Sequence, residues 1–170
     1  DNEVQDALYK AAGDGDGGEV RQLIEGRGAK VNKENSNGEL ALHVACNNKG
    51  KSNREIVEIL LDNGADVNLV QTNDGETPLG YAAYCGANDI VEILLEAGAN
   101  PILPSGKDED GNIMTPLDWA KRREKARTSQ ILQDKVAEVR AGAEKEKKNY
   151  KIQKILGKTW FGEGDKQFGY

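Results

Sequence analysis

Apolar residues fall along most of the chain in short bursts at helical spacing, each burst bounded by glycine-rich polar runs. The clearest example is Gly75 to Asn100. Thr77-Pro78 places a hydroxyl N-cap ahead of a proline at the first helical position, where the missing N–H costs nothing. The spacing predicts a helix from Pro78 carrying Leu79, Ala82 and Ala83 on one face and ending at Gly86. A second helix is expected after Asp89 as its N-cap. Its Ile90, Val91, Ile93, Leu94 and Leu95 are too apolar for a helix with a single buried face, and Gly98 supplies a left-handed C-terminal stop. Neither helix reaches the roughly 12–15 residues at which an isolated helix becomes marginal in water, so the pair needs neighbours of its own kind.

The neighbours are in the sequence. Leu40-Ala-Leu-His-Val-Ala45 followed by Ile56-Val-Glu-Ile-Leu-Leu-Asp-Asn-Gly-Ala-Asp-Val-Asn68 matches the unit just described. Leu8, Ala11, Ala12, Val20, Leu23, Ile24 and Gly28-Ala-Lys-Val-Asn32 make a degenerate earlier copy, and Thr115-Pro-Leu-Asp-Trp-Ala120 opens a later one. A period of this size dictates architecture. With a TPLHxAA-like helix, a VVxxLL-like helix and a GADVN exit recurring in order, the sequence resembles the ankyrin-repeat family over about residues 3–135. The resemblance implies an all-α solenoid of about four helix-turn-helix repeats with projecting fingers, a protein-binding role and no catalysis. The expected organisation is a repeat domain over residues 1–136, a basic charged helix over 137–156 and an extended aromatic tail over 157–170.

Departures from the repeat pattern mark candidate contact residues. Leu40-Ala41 replaces Thr-Pro and loses the hydroxyl cap, with Asn37 as a possible substitute. The inter-helix turn at Asn47 and Asn48 is longer than its counterpart in the next repeat and is either a tolerated insertion or a polar contact loop. His43, the sole histidine, occupies the place where the resemblance implies a hydrogen bond between adjacent turns; no nucleophile or acid suggests itself as a catalytic partner. Gly80 stands at the same place one repeat later and predicts a small hollow. Tyr84 and Cys85 follow the Ala-Ala pair, at positions that the resemblance assigns to the concave groove, and are candidate protein-binding residues, with Tyr81 expected to fill space between repeats. Val70 is an apolar residue expected to lie exposed on a finger.

Charge divides the chain. Residues 1–120 hold 9 Lys and Arg against 22 Asp and Glu, a balance of −13, and residues 121–170 hold 14 against 7, a balance of +7. The acidic body disfavours nucleic acid, whereas the basic part suits an anionic surface, so peripheral contact with an anionic membrane is an alternative reading. The two cysteines show no metal or disulfide spacing, no cofactor motif survives scrutiny, and the run Gly157-Lys-Thr159 lacks the glycine and strand a phosphate loop requires. The acidic run Asp14 to Glu19 lacks the spacing of a calcium loop. No apolar stretch is long enough to span a bilayer. A reducing, intracellular setting is expected, the first residue being Asp1 after either trimming or removal of a presequence. Five of the nine aromatics lie in the last 21 residues. Trp160, Phe161, Phe168 and Tyr170 are therefore candidate contacts of a tail that docks on a partner or back on the repeats. A non-enzymatic adaptor, scaffold or bound subunit is the expected function.

Overall fold

The computed structural model describes residues 2–47 and 53–162, with side chains as far as Lys154. Among these, eight helices follow one another: α1 (Asn2–Asp14), α2 (Gly17–Glu25), α3 (Ala41–Ala45), α4 (Asn53–Asp62), α5 (Pro78–Cys85), α6 (Asn88–Glu96), α7 (Pro116–Arg122) and α8 (Ala126–Gly162). The sole extended pairing among the described residues is an isolated antiparallel bridge between Lys107 and Ile113. Of the described residues, those up to Gln133 form one compact unit and those from Asp134 onward a second.

Within the first unit the helices lie in two rows. Helix α1 packs on α3, α3 on α5 and α5 on α7, while α2 packs on α4 and α4 on α6. The first row is spaced by Ala12, Ala45, Ala82, Ala83 and Ala120, all without solvent exposure, and such small side chains let helices approach closely. The second row contributes the bulk: Leu23, Ile56, Leu60, Ile90 and Leu94 are buried, and Leu132 from the start of α8 joins the same core. Each helix is short, and its stability comes from this shared apolar flank rather than from its own hydrogen bonds.

Local chemistry sets the helix ends. The Thr77 hydroxyl accepts from Gly80 N and the Thr115 hydroxyl from Asp118 N, the latter within a reciprocal capping box, and proline follows both threonines. Leu40 offers no such cap, and α3 is only five residues long. Asn37 does not replace it; instead Asn35 Oδ1 accepts from the backbone of Asn37 and Glu39, and Gln71 from the next finger accepts from Leu40 N at 2.9 Å. Helix α6 starts at Asn88 rather than after Asp89. Gly86 closes α5 in a left-handed conformation, Ala87 N bonds back to Ala82 O, and the next helix begins at once with Asp89 in its first turn. Gly142 does not interrupt α8, because its neighbours are good helix formers and one glycine costs only about 1 kcal/mol. The helix continues to Gly162, so residues 157–162, expected to be extended, have helical backbone.

Repeats are tied by a ladder at their exits. Asn32 donates to Gly64 O and accepts from Asp66 N; one repeat later Asn68 donates to Gly98 O and accepts from Asn100 N. Each asparagine thus bonds the backbone of the next repeat at both ends of its amide. Fingers are joined in the same way. Glu34 accepts from the Thr72 amide and hydroxyl at 2.7 and 2.8 Å, and Gly106 N donates to Gly75 O at 2.8 Å.

The His43 and Gly80 positions use two solutions to one problem. His43 is buried with Nε2 at 2.9 Å from Glu76 O, tying α3 to the following finger. At Gly80 no hollow forms, because Ser105 fills it. The Ser105 hydroxyl accepts from Thr77 N at 2.9 Å and lies 3.1 Å from the Thr77 hydroxyl. A β-carbon on Gly80 would fall 1.8 Å from that oxygen. The Ser105 carbonyl accepts from Trp119 Nε1, which anchors the last finger to α7.

Candidate functional site

A recess of the repeat unit lies between the last finger and α7. Tyr84, at the end of α5, is 37 % exposed. Its ring meets Trp119 edge-on, with centroids 5.4 Å apart and planes at 78°, and the Arg123 guanidinium lies 4.5 Å above it. These contacts fix the tyrosine without covering it. Lys107, Asp108, Glu109 and Arg122 complete a cleft of about 240 Å³. Arg122 donates to Asp108 at 3.1 Å, and Asp108 also accepts from the amides of Asp110 and Asn112 and from the Asn112 side chain. Those bonds, led by Asn112, hold its carboxyl below the ordinary range.

Tyr84 and Cys85 turn to different neighbours. The Cys85 thiol, half-buried, is 3.6 Å from Asn47 Oδ1, so the structure brings Cys85 together with Asn47 rather than with the cleft. Asn47 in turn is held by its carbonyl, which accepts from the buried Asn53 amide. Cys46, fully buried, has its thiol pushed up by desolvation. Val70 is 43 % exposed on the second finger. Trp160 and Phe161 lie in the helical backbone of α8, and Asn48, Phe168 and Tyr170 lie outside the described residues.

A second surface was not singled out from the sequence. Tyr9 donates to Glu39 at 3.2 Å, Tyr81 and Asp74 lie close enough to the tyrosine to interact electrostatically, and Glu76 does so with Tyr81. Burial first, then the Glu39 charge, push the Tyr9 phenol up to about 12. Burial first, then Asp74, push the Glu76 carboxyl up to about 7. The signal for it was present, since Glu39 and Glu76 immediately precede the first helix in successive repeats. It was masked because Tyr9 belongs to the degenerate first copy. His43 lies beneath this surface; its ring is held down at about 4 by desolvation, and its burial gives it a structural place rather than a substrate-facing one.

Helix pairs stacked through a shared core, with fingers and an uncovered aromatic cleft, define a helical-repeat interaction module. A family model described as ankyrin repeats (3 copies) matches residues 8–105 and again 52–149, and the chain belongs to the ankyrin-repeat family. That fold is a non-catalytic protein–protein interaction fold. The chain is 38 % identical over 98 residues to E3 ubiquitin-protein ligase KEG of Arabidopsis thaliana, which covers 57 % of this chain and 5 % of that protein. It is 41 % identical over 91 residues to the ankyrin repeat and KH domain-containing protein mask-1 of Caenorhabditis elegans, covering 53 % and 3 %. To the putative ankyrin repeat protein FPV031 of Fowlpox virus it is 38 % identical over 101 residues, covering 58 % and 28 %. The chain spans well under a third of each of these relatives. Among the described residues no helix is long and apolar enough to cross a membrane.

Proposed function

We propose that the repeat domain is the docking module of an adaptor or scaffold, stably incorporated in a larger assembly. It engages its partner through the Tyr84 cleft and the finger carrying Val70, and the segment with Trp160, Phe161, Phe168 and Tyr170 makes a second contact. The observation that carries this reading is the cleft itself. Tyrosine, tryptophan and arginine are the side chains that dominate binding energy at protein interfaces, and here all three converge on a rigid, partly open recess. Asn47, Asn48 and Cys85, at the turn end of the stack, are proposed as a lesser polar contact.

Affinity purification from native extract tests it. Tyr84→Ala is expected to reduce recovery of a stoichiometric partner by about tenfold while costing the fold only about 1 kcal/mol, the worth of one ring pair. Deleting residues 157–170 is expected to weaken recovery independently. Undiminished recovery with both changes removes the proposal.

A second reading rests on α8. From Arg140 to Lys154 its side chains are exposed, with Tyr150 at 68 % and Ile152 at 45 % among Lys145, Lys147, Lys148, Lys151 and Lys154. A basic helix with uncovered apolar residues suits an anionic bilayer surface. If it acts so, the protein floats with vesicles containing anionic lipid and is released by salt; equal behaviour on neutral vesicles excludes it.

A further inference from the structure

The cleft of the docking module has a chemistry that narrows what it accepts. Its volume of about 240 Å³ is below the roughly 300–1,000 Å³ of sites that enclose small-molecule ligands, and it suits one side chain of a partner rather than a cofactor. The floor is aromatic, made by Tyr84 and Trp119. The walls carry three cations, Lys107, Arg122 and Arg123, against two carboxylates, Asp108 and the exposed Glu109, and these charges are unequally used. Asp108 has its side chain 4 % exposed and is already engaged by Arg122 and by three further donors. Arg123 has one face on the Tyr84 ring, and among the described residues no carboxylate lies within ion-pair distance of it or of Lys107. A guanidinium stacked on a ring keeps its N–H edge free, and that edge matches a carboxylate in two parallel bonds. The surroundings sharpen the contrast. Arg122 and Arg123 belong to a basic run, residues 121–127, that holds five Lys and Arg against Glu124, whereas the body of residues 1–120 has a balance of −13. An acidic side chain of a partner finds its complement in the Arg123 edge and Lys107, neither of which takes part in the Asp108 pairing.

We propose that this cleft seats an aspartate or glutamate side chain of the partner's docking segment, held by the Arg123 edge and Lys107 with a neighbouring apolar or aromatic residue against Tyr84. The assignment rests on the docking function proposed above and adds the charge of the partner to it.

The test is selection of a random-peptide phage library on the full chain at low salt. The expected result is a pool with Asp or Glu recurring beside an apolar or aromatic residue. Individual peptides from it should bind Lys107→Gln/Arg123→Gln at least about tenfold more weakly, with the variant's melting curve moved by no more than the loss of one exposed cation–π contact and affinity falling as salt is raised. Because both substituted residues are exposed, the fold is not at stake, and a Lys107→Glu/Arg123→Glu variant should select basic peptides in place of acidic ones. A pool without acidic enrichment, a pool that binds the double glutamine variant equally well, or no pool above background overturns the assignment. Peptides lacking an acid that still lose binding with Tyr84→Ala overturn the acidic partner while leaving the docking module intact. Peptides indifferent to every one of these changes overturn both.

Discussion

Gly80→Ala is expected to destabilise the repeat domain by about 2–4 kcal/mol, although alanine is the better helix former by about 1 kcal/mol. A methyl at this position would lie 1.8 Å from Ser105 Oγ and 2.6 Å from Ser105 Cβ, neither of which can retreat far. Ser105 is fully buried, bonded to Thr77 N and placed 3.1 Å from its hydroxyl, and its carbonyl accepts from Trp119. Relief of the clash therefore strains the cap of α5 and the anchor of the last finger together. Urea unfolding of a double-mutant cycle with Ser105→Gly measures it. Removing the serine side chain should return part of the stability lost by Gly80→Ala, giving a favourable coupling of about 1 kcal/mol or more between the two sites. Full stability of the single variant, or additivity in the cycle, would refute the packing account. The same clash shows why the cleft stays in place: the finger that forms one wall of it is fixed by a residue that a side chain at position 80 would displace.

Acid stability should be governed by two groups of opposite sign. His43 is held down to about 4 from 6.5, chiefly by burial. Between those values the unfolded chain carries a proton on the ring and the folded chain does not, so stability is whole above pH 6.5 and declines by about 3 kcal/mol on the way to pH 4. Glu76 is raised to about 7 from 4.5, first by burial and then by Asp74. Its folded form keeps a proton that the unfolded chain has released, so its contribution is whole below pH 4.5 and is lost as pH rises through 7. Across the shared window the two slopes oppose; Glu76 is only partly buried and solvent screens its contribution, so the parent protein should show a shallower fall toward acid than the histidine alone would give. Glu76→Gln retains the backbone carbonyl that His43 contacts and removes only the carboxyl, so it should expose the histidine slope, with denaturant stability falling by about 3 kcal/mol from pH 7 to pH 4. His43→Gln should show the reverse slope. A Glu76→Gln variant no steeper than its parent would show that the imidazole titrates freely.

Much of the architecture was legible because its determinants are local. Thr77-Pro78 and Thr115-Pro116 announce helix starts, Gly86 and Gly98 announce stops, and the apolar spacing of Ile90, Val91 and Leu94 requires burial whatever surrounds it. Those signals recur at a fixed period, and a stack of short helix pairs follows from the inability of any one pair to stand alone. Features that rest on a single local signal are less secure. Asp89 carries the chemistry of an N-cap, but the tight turn after Gly86 starts α6 before it. The charged helix was expected to end at residue 156, but the glycine that follows costs too little to end a helix whose other residues favour it, and the helical backbone runs on to Gly162.

The amino-acid sequence by itself determined the repeat, the starts and stops of its central helix pair to within a residue or two, the opposed charges of its two parts and the class of function, since caps, breakers and periodicity act over a few residues. Only the tertiary structure decided where side chains from different repeats meet: that Ser105 occupies the space left by Gly80, that Gln71 serves the uncapped Leu40, that Tyr84 turns to Trp119 and Arg123 while Cys85 turns to Asn47, and that Tyr9, Glu39 and Glu76 share one surface. Those pairs are separated by 25 residues or more along the chain, and no local rule reaches so far. Their proximity is set by how the helix pairs stack, which is a property of the packed core and not of any one stretch of it.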